Sequence, residues 1–306
     1  MVQTALIIGG TGFLGSAIAE ELGRAVVDIS VLSRGRKIQS SERYKFIQAD
    51  RTNADELMKA LGNRTYNLVV DCSGYQGEDA AHAVRIFREA CGHYVFISTD
   101  YVYASSSETT LPIRESALTH RDTPYSAGKL DCETVFLEAW NESRFPVTVL
   151  RPPHILGAGK GLGSDQVLGR HPGIPTMIRE GSGLRLLAEG QLLIQPVWNR
   201  EVGLCIAHIA CMEESFGQLF NCTGPDCVTT RRYYEIVAEM LNVPLHFESV
   251  AVQHFIRENP DQRHYTRHRI YNTGRLTEVT GYVPHLPVES AIRETLDWML
   301  AHDSLR

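Results

Sequence analysis

An apolar run, Ala5-Leu6-Ile7-Ile8, leads directly into Gly9-Gly10-Thr11-Gly12-Phe13-Leu14-Gly15, and residues 16–22 then continue with helical spacing. Strand, tight turn and helix in one sweep begin a βαβ unit. Gly10, Gly12 and Gly15 satisfy G-x-G-x-x-G, in which a missing Cβ allows the tight turn, the approach of backbone to a pyrophosphate and close helix–strand packing. The N–H groups at the start of the helix then face the anion. Glycines also serve ordinary turns, so the rest of the chain decides what this one means.

Alternation continues through the first half. Strand patterns at 26–32, 67–71, 94–97 and 147–150 are separated by helical ones at 54–61, 78–91 and 125–141, with Asn53 as a cap and Glu56 three residues on. Near-continuous apolar strands between helices predict an α/β, Rossmann-type doubly wound parallel sheet. The pattern breaks at 157–183, which holds eight glycines and two prolines. A helix at 202–212 and a strand at 219–221 rejoin the sheet, and helices at 230–241 and 288–302 follow. At 306 residues the chain exceeds one modest core. The expected partition is a dinucleotide-binding domain from residues 1–155 plus about 196–225, with a smaller C-terminal substrate-binding lobe from about 156–195 plus 226–306.

A formal net charge of −6 argues against nucleic acid or an anionic membrane as partner. No apolar stretch approaches the roughly 20 residues of a span, and no basic leader precedes the first strand, so the expected location is cytoplasmic. Seven cysteines without a C-x-x-C pair suit reduced, packed thiols, and no metal site is implied.

The second strand ends at Ser33-Arg34-Gly35-Arg36-Lys37, without the acidic residue that would accept the ribose hydroxyls of NAD. Ser33, Arg34 and Arg36 suit a 2′-phosphate instead, so NADP(H) is the preferred cofactor and NAD(H) the alternative. The same residues could form a solvated basic turn. Tyr125 and Lys129 are four apart and share a helix face, where an ammonium can lower the phenol's pKa and make it a general acid or base. Thr99, just past the 94–97 strand, stands where parallel sheets place ligands. Its hydroxyl can hold the same substrate oxygen.

These residues resemble the extended short-chain dehydrogenase/reductase superfamily, also described as the NAD-dependent epimerase/dehydratase family. The marks are the Gly9 to Gly15 turn, Ala49-Asp50, Ile97-Ser98-Thr99-Asp100-Tyr101-Val102-Tyr103, Tyr125-Ser126-Ala127-Gly128-Lys129, Leu150-Arg151-Pro152-Pro153 and Gly281-Tyr282-Val283-Pro284 with Trp298. The resemblance implies Tyr125 as catalytic acid/base, Lys129 as its electrostatic partner and ribose ligand, and Thr99 as donor to the substrate oxygen. It puts Asp50 and Arg51 near the adenine, Ser73 and Gly74 beside the cofactor's centre, and Pro152 among the cofactor contacts. It also suggests a homodimer through the 78–91 and 125–141 helices.

Two departures narrow the activity. Asp100 is followed by Tyr101 where sugar-nucleotide 4,6-dehydratases of the family carry Asp-Glu, so the elimination pair is incomplete and the stretch looks more like dehydrorhamnose-type reductases. Ile194 stands where 4-epimerases place an Arg for the diphosphate, with Arg185 or Arg200 as possible substitutes.

Asp100 and His154 are the candidate substrate contacts, His154 being equally readable as an ordinary buried histidine. Residues 254–271 carry four arginines and three histidines, a pattern that fits a solvated face or a basic lid over an anionic substrate. His264 and His268 have zinc-compatible spacing but lack the Glu of H-E-x-x-H. The resulting expectation is an NADP(H)-dependent oxidoreductase acting on a carbonyl, or the matching alcohol, of a small or sugar-type molecule. The alternatives are an NAD-dependent nucleotide-sugar epimerase/dehydratase and a non-catalytic dinucleotide-sensing or RNA-binding relative.

Overall fold

The computed structural model describes residues 2–26, 28–35, 43–105, 110–163 and 169–302, apart from the side chains of Asp261 and His264. Arg36 and the His264 side chain, and with it the zinc-type pair, lie outside the described residues.

The first half runs β1 (Thr4–Ile8), α1 (Phe13–Leu22), β2 (Asp28–Ser33), β3 (Lys45–Gln48), α2 (Ala54–Leu61), β4 (Tyr66–Asp71), α3 (Gly77–Phe87), β5 (Cys91–Ile97), α4 (Pro124–Ser143) and β6 (Val147–Arg151). Next come β7 (Ile155–Leu156), α5 (Ile174–Glu180), β8 (Arg185–Leu187), β9 (Leu193–Ile194), β10 (Val197–Trp198), α6 (Asn199–Ile209) and β11 (Gln218–Asn221). The chain ends with β12 (Val228–Thr229), α7 (Thr230–Leu241), β13 (Glu248–Val250), α8 (Val252–Glu258), α9 (Gly274–Thr280) and α10 (Val288–His302).

Seven strands form one parallel sheet in the order β11-β6-β5-β4-β1-β2-β3. Successive residues of β1 serve opposite faces: Ala5 and Ile7 join Ile18, Leu22, Val202 and Ile206 beneath α1 and α6. Leu6 and Ile8 join Leu57, Val84, Phe87 and Phe136 beneath α2, α3 and α4. Burial on both faces explains why the strands read as continuous apolar runs. A third core, with Leu156, Ile174, Tyr233, Val237, Ile292 and Leu296, joins β7, α5, α7 and α10 away from the sheet.

Some boundaries differ from the sequence reading. The second strand starts at Asp28, not at 26. The third helix stops at Phe87, and Cys91 and Gly92 belong to β5, because Gly92 packs against the Asn67 backbone, where a Cβ would lie 3.0 Å from the Asn67 carbonyl oxygen. The sixth helix is Asn199–Ile209, a shift of three residues toward the N-terminus from the 202–212 pattern.

Candidate active site

The strand order reverses between β1 and β4, and open parallel sheets bind ligands in the crevice beyond the strand ends at such a point. A cleft of ≈ 760 Å³ lies there. It is lined by the turn residues Gly9, Thr11, Gly12, Phe13, Leu14 and Gly15, by Ser33 and Arg34 at the end of β2, by Asp50 and Arg51 after β3, and by Ser73 after β4. Gly9 has φ +80°, and a Cβ on Gly15 would stand 2.4 Å from the Gly9 carbonyl oxygen and 2.6 Å from the Gly10 Cα, so α1 can sit on the turn only with glycine at both positions.

The two helices that begin at this cleft differ. Gly12 caps α1 without a side-chain hydrogen bond and no acidic residue stands in its first turn, which leaves N–H donors open to an anion. The start of α3 is closed by a Gln76–Asp79 capping box, with Asp79 accepting from the backbone N–H groups of Tyr75 (2.8 Å) and Gln76 (3.0 Å). The α1 end therefore fits a pyrophosphate, and the α3 end does not. Arg34 is exposed, and among the described residues no carboxylate pairs with it.

Arg51 lines the cleft with a guanidinium already engaged: it is 7 % exposed and pairs with Asp71 and with Asp79 at 3.0 Å. Tyr94 and the Ser73 N–H also bind Asp71, at 2.8 and 2.9 Å, so the network ties β4 and β5 to the start of α3. Asp50 is turned toward Thr52, accepting from its N–H (3.0 Å) and hydroxyl (2.8 Å). Gly74 is buried, and its carbonyl accepts from Lys129.

Phe13 is shared with a second, adjoining pocket of ≈ 270 Å³. Thr99, Asp100, Tyr125, Pro152 and His154 all line it, so Pro152 faces this pocket and not the glycine-turn cleft. Tyr125 is the second residue of α4, held by Pro124 and by a capping box in which the Thr123 hydroxyl accepts from the Ser126 N–H at 3.1 Å. Below it, Glu133 accepts from Arg151 through both oxygens (2.9 and 2.5 Å) and from the Ser98 hydroxyl at 2.5 Å. This buried clamp fixes α4 to the ends of β5 and β6.

Lys129 is deeply buried. It is 2 % exposed, its ammonium donates to the carbonyls of Gly74 and Ile97 at 2.8 Å each, and the rings of Tyr75 and Phe96 lie 4.8 Å away. Burial lowers its pKa, opposed first by Asp71. The Tyr125 phenol is not lowered in turn: burial pushes it up to about 12, against the Thr99 hydroxyl, with the potentials of Tyr75 and Asp100 adding to the rise. The residue keeps 43 % of its surface, so the burial acts on its hydroxyl end, packed near Tyr75 and Tyr101 with ring centroids 6.3 and 5.7 Å away. With the ammonium turned to two backbone carbonyls, desolvation dominates the phenol.

The 254–271 segment divides. In α8, His254 and Arg257 are exposed, as a solvated face requires. Residues 267–271 instead run extended against Ile194 and Ile113, which puts Arg267, Arg269 and Tyr271 on one face, lining the pocket with Tyr265 and Arg170. Period-two alternation in Arg267-His268-Arg269-Ile270-Tyr271 could have shown this. No local signal marks Arg170. The substitutes for an epimerase arginine are placed elsewhere: Arg185 faces Glu248 at 3.7 Å, and Arg200 binds Glu21 on α1 at 2.9 Å.

The Tyr271 hydroxyl donates to Asp100, whose pKa burial raises against the pull of Tyr271, Arg269, Thr99 and Arg267. Nε2 of His154 is buried without a hydrogen-bond partner. Burial, then Arg170 and Arg269, push its pKa well below the usual range, so the ring is neutral.

The family model for the NAD dependent epimerase/dehydratase family matches residues 5–190, and the chain belongs to that enzyme family. It is 23 % identical over 211 residues to GDP-6-deoxy-D-mannose reductase of Pseudomonas aeruginosa, spanning 68 % of this chain and 66 % of that protein, just under two thirds of its length. Among solved structures, dTDP-glucose 4,6-dehydratase from Bacillus anthracis in complex with NAD superposes with a TM-score of 0.78 at 19 % identity, covering 99 % of this chain and 98 % of that one. RMD from Pseudomonas aeruginosa, complexed with NADPH, gives 0.74 at 18 %, covering 98 % and 99 %. These likenesses establish the Rossmann-type fold. Among the described residues no helix is long and apolar enough to cross a membrane.

Proposed function

We propose that the protein is an NADP(H)-dependent oxidoreductase that reduces a carbonyl, or oxidises the matching alcohol, of a small sugar-type molecule. The observation that carries this reading is that Thr99 and Tyr125 line a pocket meeting the glycine-turn cleft at Phe13. The dinucleotide, when bound, supplies or takes up the hydride. Its pyrophosphate is held by the open N–H groups at the start of α1, and its 2′-phosphate by Ser33 and Arg34.

In reduction, the Tyr125 hydroxyl donates its proton to the substrate oxygen as negative charge develops there, and the Thr99 hydroxyl holds that oxygen in line. In oxidation the proton returns to the phenolate. Lys129, 4.8 Å from the centre of the Tyr75 ring, adds positive potential under the site and is the candidate partner of the cofactor ribose. Tyr101 in place of an acidic residue speaks against elimination of water. The same reading makes the protein cytoplasmic and a homodimer through α3 and α4, whose outer groove presents Arg85 and Arg88 opposite Glu138 and Glu142.

Calorimetric titration with NADPH and NADH, repeated on Arg34→Ala, tests the reading. NADPH is expected to bind more tightly, and the variant to lose roughly 10- to 100-fold of that affinity while NADH is unaffected, the loss of one charge-assisted contact. Equal binding of both cofactors by the native chain would reject the phosphate clamp.

A further inference from the structure

We propose, resting on the reductase reading, that the substrate is a compact carbonyl compound carrying its own oxyanion, read by Arg170, Arg267 and Arg269 together with His154.

Charge is the first ground. Among the described residues three guanidinium groups line the pocket against one carboxylate, Asp100, which acts on Arg267 and Arg269 and still leaves positive charge in excess. The cations come from two distant parts of the chain, Arg170 from one and Arg267 and Arg269 from the other, and are held in place. Arg170 donates to the carbonyls of Gly161 and Ile155 at 2.7 Å each, and Arg267 donates to those of Tyr103 (3.1 Å) and Ala104. Arg269 is 8 % exposed and lies over the Tyr265 ring, 5.2 Å from its centroid. Bringing fixed like charges together in a partly desolvated pocket is unfavourable unless an anion joins them.

The second ground is independent of charge. His154 Nε2 is buried with no partner, and a buried polar atom left unsatisfied is costly, so a ligand oxygen there would restore a lost hydrogen bond. Size is the third. At ≈ 270 Å³ the pocket falls just under the roughly 300–1,000 Å³ usual for drug-sized ligands, which places the anion on the reacting molecule itself and not at the far end of a long carrier. A planar guanidinium fork suits carboxylate and phosphate alike, so the shared chemistry is an oxyanion.

Calorimetry on the full chain saturated with NADP+ separates the possibilities. The probes are D-fructose, its 6-phosphate, 5-keto-D-gluconate, 1-amino-1-deoxy-D-fructose and UDP-glucose. At least one anionic ketose is expected to bind about tenfold or more tightly than fructose, the amine more weakly than fructose, and the anionic preference to shrink as salt rises. Whether the phosphate or the carboxylate wins identifies the oxyanion. In Arg170→Met and in Arg269→Met, each checked by its melting curve, the gap should close; if both fail to fold, the native ranking alone decides. Fructose equal to both anionic ketoses, UDP-glucose tighter than either of them, or a preference that survives in a folded variant would overturn the proposal. The reductase reading fails separately, at the NADPH titration, since a chain that binds NADPH without favouring anions loses only this inference.

Discussion

The glycine turn under the larger cleft is backbone from one short stretch, whereas the pocket under Tyr125 is made of side chains that meet only after the whole chain has folded. In the first, Gly9 to Gly15 are consecutive residues that lead into the uncapped N–H groups of α1. In the second, Thr99, Tyr125, His154, Arg170 and Arg269 arrive from the loop after β5, from α4 and from three further loops. A backbone site tolerates most changes of neighbouring side chain but almost none of its glycines. A side-chain site behaves the other way, and so can change substrate without changing fold.

The sharpest way to break this contrast is Tyr125→Phe. Removing the proton donor is expected to lower turnover by about 10²- to 10⁴-fold while NADPH affinity, set in the other half, stays within about twofold. Steady-state rates beside calorimetry check both. The elevated phenol also sets a pH profile. Below about 12 the hydroxyl keeps its proton, so reduction should be flat across neutral pH. Oxidation needs the phenolate and should climb about tenfold per pH unit. A break in the oxidation profile near neutrality would mean that bound cofactor brings Lys129 and Tyr125 into the coupling expected from their spacing.

Next in size is the clamp that both halves share. Glu133→Ala leaves Arg151 buried and unpaired and the Ser98 hydroxyl without its acceptor. Denaturant unfolding should show a loss of about 3–5 kcal/mol, the cost of breaking a buried ion pair from one side. Gly15→Ala follows, at about 1–3 kcal/mol of overpacking against Gly9 and Gly10. It should weaken NADPH and NADH equally, unlike Arg34→Ala, because it moves the pyrophosphate cradle that both cofactors use.

What could be read in the chain follows the same division. The turn, the strand alternation and the helix carrying Tyr125 rest on contacts within a few residues, so period and cap signals expose them. Asn53 does accept from the Glu56 N–H, as its position predicts. The arginine pocket rests on contacts such as Arg267 to Tyr103, more than 160 residues apart, and no window of sequence contains both partners. The surroundings of Lys129 were hidden for a related reason. Four-residue spacing places it on the Tyr125 face of the helix but says nothing of the Gly74 and Ile97 carbonyls, which come from the loop after β4 and the end of β5 and hold the ammonium.

Thr123→Ala carries the smallest expected effect and tests where the two kinds of site join. Thr123 and Ser126 bracket Tyr125 in a cap that is local in sequence, yet it aims a side chain into the non-local pocket. Losing the cap should cost about 1 kcal/mol in unfolding experiments. If the cap serves only the helix, kcat will follow the native value and nothing but stability will move. If it also aims the phenol, kcat should fall severalfold with KM and NADPH affinity unchanged, because a proton donor slightly out of line loses the transition state before it loses the substrate.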